Sequence, residues 1–259
     1  MHAPTPTSPV LPGIAAEILA RVRSREPRVH CITNAVAQGF TANVLLAAGA
    51  VPSMTLAADE IAQFVAGADA LVVNLGTLDG ERRQSIDIAI DTANKAQRPW
   101  VLDPVFVDRS PLRCALAKSL VDKRPSLLRL NSQEFASLTG GQSNEQALAG
   151  YARDHCCVVA LTGATDVVCD GERMVKIANG DALMARVAAM GCAGTALVAA
   201  FLAVEADPWL ASAAGLLAFA IAGECAAAAA RGPGSFAVEI MDALAKLDGE
   251  TLRMRARLR

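Results

Sequence analysis

The sequence predicts an α/β protein, three layers deep, with helices on both faces of a largely parallel central sheet, a late β-hairpin and a helical C-terminal third. Three observations carry that prediction. Short apolar runs alternate with amphipathic ones through the first two thirds of the chain, the rhythm of repeated right-handed βαβ units. Hydrophobic residues make up 53% of the sequence and aromatics only 4%, so the core must be built from Ala, Val and Leu, as where close-packed helices lie on a parallel sheet. No linker, internal repeat or low-complexity tract divides the 259 residues, which argues for a single domain over residues 14–259 behind a flexible, proline-rich leader, residues 1–13.

The elements follow in order. "RVHCI" reads as the first strand and "AQGFTANVLLAAG" as the helix after it; "VPSMT" and "ALVVNLG" are strands on either side of the helical "DEIAQFVAG". "ERRQSIDIAIDTANKA", "SPLRCALAKSLVDK" and "SQEFASLTG" are helices alternating with the strands "PWVLD" and "SLLRLN". After "CVVAL", the stretch "DVVCDGERMVKI" reads as two strands around Asp170-Gly171, a tight-turn pair. From Cys192 onward the pattern is helical. "WLASAAGLLAFAIAG" lies between Asp207 and Glu224 and is mostly small residues, so it reads as a buried helix and not as a membrane span. The basic end "LRMRARLR" is expected to be a solvated or frayed helix end.

A formal net charge of -2 supplies no excess of cations for neutralising phosphates, which excludes a nucleic-acid partner from the expectations. "MHAPTPTSPVLPG" has neither the basic start nor the apolar centre of a signal peptide. Seven cysteines is an odd number, they lack metal-ligand spacing, and Cys156 and Cys157 are adjacent; free thiols in a reducing cytoplasm are expected.

In open α/β sheets ligands bind beyond the carboxyl ends of the strands, and polar residues gather at those ends here. They are Asn34 after the first strand, Asn74 and Thr77, Asp103, then Arg129, Asn131 and Glu134, and Thr162 with Gly163. Each also has an ordinary reading. Asp103 before Pro104 either closes a strand or does chemistry, and Asn34 either caps a helix beginning near Ala35 or meets a ligand. Asn131 and Glu134 have the spacing of a capping box. Arg129, inside the apolar "SLLRL", either reaches solvent or meets an anion. His30 is expected to be a hydrogen-bonded structural histidine, and Met54 reads as core by spacing alone. In "AAMGCAGTA", Cys192 is either packing or chemistry: an open helix start binds phosphate and lowers a thiol pKa.

With these residues in view, the chain resembles hydroxyethylthiazole kinase, of the ribokinase-like superfamily, over roughly residues 29–247. The matches are "HCITNAVAQGFTANVLLAAGAVPSM", "ALVVNLGTL", "VLDPV", "RLNSQEFASLTG", "VVALTGATDVVCDGER" and "GCAGTALVAAFLA", in the family's order. The resemblance implies transfer of the ATP γ-phosphoryl group to the primary hydroxyl of 4-methyl-5-(2-hydroxyethyl)thiazole, with Mg2+ assisting. It implies that Met54 and Asn34 contact the thiazole, with Ala189 and Gly191 in the corner beside it. Arg129, Thr162 and Asn131 would serve ATP and Glu134 the magnesium; Asp103 and Cys192 would be catalytic, Asp103 orienting the substrate hydroxyl and Cys192 standing where related kinases place an aspartate base. It further implies a homotrimer with thiazole pockets between subunits.

Two departures stand out. The family's glycine-threonine pair before Gly191-Cys192 is replaced by Ala189-Met190, and its glycine-rich loop after Val105 by "FVDRSPLR". They keep open a kinase for another small alcohol or vitamin precursor, and a catalytically weak nucleotide- or metabolite-binding relative.

Overall fold

The computed structural model describes residues 10–259, so residues 1–9 of the expected leader lie outside the described residues. Helix α1 (Leu11–Arg25) starts inside the remainder of that leader, because Leu11 and Pro12 are buried against the core. There follow β1 (Arg28–Ile32), α2 (Gln38–Ala48), β2 (Val51–Ser53), α3 (Ile61–Ala66), β3 (Ala70–Asn74), α4 (Gly80–Lys95), β4 (Trp100–Asp103), α5 (Pro111–Val121), β5 (Leu127–Asn131) and α6 (Ser132–Thr139). Then come α7 (Glu145–His155), β6 (Val158–Thr162), β7 (Asp166–Cys169), β8 (Met174–Ile177), a 3-10 turn (Ala182–Arg186), α8 (Met190–Leu202), α9 (Pro208–Ala229), α10 (Pro233–Lys246) and α11 (Gly249–Arg255).

The strands form one sheet in the order β2-β1-β3-β4-β5-β6-β7-β8. The first six are parallel, and β7 and β8 are the antiparallel hairpin that the sequence predicts. Its loop is four residues long, with Gly171 at φ 99° and Asp170 Oδ1 accepting from the amides of Glu172 and Arg173. Strand residues alternate between the two layers. Val29, Cys31 and Val72 enter the core shared with α1, α2 and α8 to α11, whereas Ile32, Leu71 and Val73 enter the one shared with α3 to α7. All of β3 and β4 is buried, as expected for a parallel sheet covered on both faces.

Because β1 lies between β2 and β3, the chain winds one way after β1 and the other way after β3. A crevice must open at that reversal, beyond the C-terminal ends of β1 and β3. Within the first of these cores helices also pack on one another, α9 against α1, α8 and α10. α9 is long and apolar enough to cross a membrane, yet 78% of its most apolar window is buried in the fold. Its small residues let α8 approach closely; a Cβ on Gly215 would lie 3.1 Å from Val198 Cα.

The basic chain end is not frayed. Leu258 bridges to Ile177, and Lys176 and Arg259 exchange two backbone hydrogen bonds of 3.0 Å. Backbone pairing with the outer side of β8 outweighs the solvation that its charge pattern suggests, and Arg257 adds an ion pair of 2.6 Å with Glu224.

His30 is structural, as expected. It is fully buried, with Nδ1 2.8 Å from Ser53 Oγ and Nε2 3.2 Å from the Thr55 carbonyl. A carbonyl only accepts, so Nε2 carries the proton and the Ser53 hydroxyl donates to Nδ1. Burial lowers its pKa to about 4, below the ordinary 6.5. Below pH 6.5 the unfolded chain therefore binds a proton that the folded one refuses. The stability tied to neutral His30 is complete above pH 6.5 and is lost as pH falls toward 4, in total about 3 kcal/mol. Urea midpoints measured from pH 7 to pH 5 should fall more steeply for the wild type than for His30→Gln.

Candidate active site

The crevice is built around the start of α8. Ala189 precedes it at φ 69°, ψ 0°, a left-handed conformation, and no side chain caps the helix. The first amides of α8 thus have no intrahelical partner and carry the positive end of the helix dipole, an arrangement suited to anions. Alanine is strained in that conformation by about 1–2 kcal/mol, since its Cβ crowds the following carbonyl. Ala189→Gly is expected to raise unfolding stability by about 0.5–1 kcal/mol after allowing for the greater freedom of glycine when unfolded. Chemical denaturation of the two proteins measures this.

Arg129, on β5, lies against this corner and not at a solvent edge. Its side chain is 19% exposed, and a Cβ on Gly191 would sit 2.8 Å from its Nη1. The same nitrogen is 4.0 Å from Oδ2 of Asp103, at the end of β4. Asp103 is 2% exposed, and its Oδ2 accepts a 3.0 Å hydrogen bond from Thr195 Oγ1, one turn into α8. Helix start, guanidinium and carboxylate therefore converge from three elements.

Asn131 and Glu134 do form a capping box. Asn131 Oδ1 accepts from the amides of Gln133 and Glu134, and Glu134 Oε2 accepts from the amide of Asn131, each at 2.9 Å. Glu134 does more: its Oε1 accepts from the amide of Phe106 at 2.9 Å and anchors the loop after Asp103. Burial raises the Glu134 pKa and nearby Asp103 raises it further, against the two backbone donors and Arg129. One carboxylate thus both caps α6 and holds the loop after Asp103.

Two expectations change. Asn34 does not cap α2, which begins at Gln38 with Ala37 as its N-cap. A turn at 34–37, closed by the Ala37 amide on the Asn34 carbonyl, sends the side chain elsewhere: Nδ2 donates to Asn74 Oδ1 at 3.2 Å and to Cys192 Sγ at 3.1 Å. Nor does the helix start lower the Cys192 pKa. Burial pushes it up to about 11, with the charge of Asp103 adding to the rise, while Asn34 and Arg129 oppose it only in part. Cys192 is therefore a half-buried thiol at neutral pH. All seven cysteines are unpaired, the adjacent Cys156 and Cys157 included.

On the other side of Arg129 a cavity of about 740 Å³ opens. Arg129, Thr162, Gly163 and Gly191 line its polar mouth, and Met184 and Phe219 are among its apolar walls. Asp166 holds the turn at that mouth, its Oδ1 accepting from the Gly163 amide at 2.9 Å. The apolar floor suits a flat base and the mouth suits phosphates. Met54 does not line this cavity; it follows β2 at the sheet edge, half-buried against the α-helical core. Thr195, Asp166 and the 3-10 turn were not singled out by sequence. A threonine one turn after Cys192 was the available sign for the first, since it shares the helix face of Gly191.

The Hydroxyethylthiazole kinase family matches residues 19–250. The chain is 44% identical over 245 residues to a probable hydroxyethylthiazole kinase of Agrobacterium fabrum, covering 94% of each chain. It is also 44% identical to a hydroxyethylthiazole kinase of Granulibacter bethesdensis, covering 93% of this chain and 92% of that one. Among solved structures, the hydroxyethylthiazole kinase protein of Pyrococcus horikoshii superposes with a TM-score of 0.91 at 38% identity, covering 95% of this chain and 98% of that one. A match over nearly the whole length, in sequence and in fold, makes this chain a member of the hydroxyethylthiazole kinase family.

Proposed function

We propose that this protein transfers the γ-phosphoryl group of ATP to the primary hydroxyl of 4-methyl-5-(2-hydroxyethyl)thiazole. The observation that carries the reading is the uncapped start of α8 between Arg129 and Asp103, which puts anion-binding amides and a cation beside a buried carboxylate. Phosphoryl transfer depends mainly on positioning and on neutralising the charge of the transferring group, and these are the groups that do so. The base of ATP would occupy the apolar part of the 740 Å³ cavity, with its phosphates reaching past Thr162 and Arg129 to Gly191. Asn131, whose side chain is committed to its cap, would serve ATP through the position it gives Glu134.

Asp103 Oδ2 is held by Thr195, so Oδ1 is the oxygen that would orient the alcohol and take its proton as the new P–O bond forms and the bond to the leaving phosphate breaks. The Cys192 thiol, protonated at neutral pH, would pack beside that hydroxyl as a polar neighbour.

The donor set suits magnesium carried in on the nucleotide. Each Glu134 oxygen accepts one backbone N–H and keeps a lone pair, and the described residues contain no group of three or more His, Cys, Asp or Glu that would cage a metal. Mg2+ is usually held this way, by one or two carboxylates with phosphates and waters completing the shell. When bound it would neutralise charge on the transferring phosphoryl group.

A homotrimer belongs to the same proposal, with the thiazole pocket, Met54 included, between subunits. Its support is the sheet edge, where exposed Val51 of β2 and exposed Phe64 of α3 line a groove of about 340 Å³. The seven free thiols favour the cytoplasm.

The test is ADP release with ATP, Mg2+ and the thiazole alcohol. Turnover that depends on the thiazole is expected; its absence from a folded, ATP-binding protein would sink the substrate assignment. One observation favours a second reading, a different small alcohol. In the loop that departs from the family, Phe106 is at φ 61° and half exposed, with the Arg109 guanidinium 5.4 Å from its ring centre. A panel of pyrimidine and vitamin-precursor alcohols separates the two.

A further inference from the structure

We propose that Asn74 is a positioning residue for Cys192: it fixes the Asn34 amide so that one N–H from each of the two side chains points at the Cys192 sulfur. Asn74 ends β3, opposite Asp103 in the parallel register, and is 1% exposed. Its Oδ1 accepts a 2.9 Å hydrogen bond from the Gly76 amide. A backbone N–H only donates, so this bond settles which way the Asn74 amide faces. Nδ2 must then point the other way, and it lies 3.5 Å from Cys192 Sγ.

The orientation of Asn34 follows. Facing an oxygen of Asn74, it must present nitrogen, and its two N–H groups are divided between Asn74 Oδ1 at 3.2 Å and Cys192 Sγ at 3.1 Å. Gly76 leaves the pair room to meet, because a Cβ there would come within 2.6 Å of Asn34 Cβ and 2.9 Å of Asn74 Oδ1. The ends of β1 and β3 and the start of α8 are thus tied at the reversal of the sheet.

The sulfur thereby accepts two N–H groups, and its own hydrogen is directed away from the amides. The same donors favour negative charge on sulfur, against burial and Asp103, which disfavour it. A buried asparagine that merely closes a strand end would account for the bonds to Gly76 and Asn34. It gives no reason for Nδ2 to meet the sulfur.

The activity part of this inference rests on the proposed kinase reaction, and the thiol chemistry does not. Iodoacetamide labelling of the full-length protein, resolved by mass spectrometry of the Cys192 peptide and referred to exposed Cys156 in the same sample, reads the thiolate fraction of Cys192. Asn74→Leu, similar in shape and uncharged, is expected to slow Cys192 labelling about tenfold at pH 8–9, as for a thiol pKa one unit higher. It should also lower kcat about tenfold and leave the KM for ATP unchanged. Labelling as fast as in the wild type, or faster, overturns the proposal. Should Asn74→Leu not fold, Asn34→Ala at a half-buried position removes one of the donors, and about threefold slower labelling is expected; an unchanged rate again overturns it. A shifted labelling rate in a protein that does not phosphorylate the thiazole would refute the substrate assignment and leave the role of Asn74 standing.

Discussion

Asp103→Asn is expected to lower kcat by about 10²–10³-fold while the KM for ATP changes little. Asparagine has the shape of aspartate, so the Thr195 hydrogen bond at 3.0 Å has a partner in either protein and the folded structure should persist. What is lost is the ability to take a proton, together with the negative charge 4.0 Å from Arg129. Steady-state kinetics beside a thermal unfolding curve test this. A kcat within threefold of the wild type, in a variant of unchanged stability, would mean that the alcohol proton leaves by another route.

The second large effect is expected at Gly191. An alanine there would place its Cβ 2.8 Å from Arg129 Nη1. The helix has little room to retreat, since a Cβ on Gly194 would already touch the Phe219 ring at 3.0 Å and Gly215 of α9 packs against Val198. The guanidinium is the end of a flexible side chain, so it will move instead. Stability should change by less than about 1 kcal/mol, whereas kcat/KM for ATP should fall about 10²-fold, as when one well-placed charge-stabilising group is lost. ATP titration by calorimetry together with initial rates separates the two. A loss of stability with undiminished catalytic efficiency would show that Arg129 is packing only.

How far the sequence led depends on the range of the interaction that decides each feature. Strands, most helices and the polar strand ends follow from periodicity and turn residues within a few positions, and all were legible. The Asn131–Glu134 box was read correctly from its spacing. Spacing could not show that Glu134 has a second oxygen, held 28 positions away by the Phe106 amide. Cys192 was misjudged electrostatically for the same reason: its helix start is local, but its burial and the charge of Asp103 come from the tertiary fold. Asn34 stays open between a helix cap and a ligand contact in the sequence, because its side-chain partners, 40 and 158 positions away, leave no local trace. Helix α7 escaped for another reason. α7, with only Leu148 and Ala152 buried, shows too narrow an apolar stripe to stand out from a loop.

The two margins of the sheet differ. Beyond β8 the chain's last residues lie alongside as a narrow ribbon, so that margin has already been satisfied from within. Among the described residues nothing pairs with the outer side of β2. Any growth of the sheet by strand addition, whether orderly assembly or misassembly, therefore has one open direction. It begins at Val51–Ser53, next to the residue expected to hold the thiazole ring, so a change that guards this margin against aggregation is also a change at the edge of the proposed binding pocket.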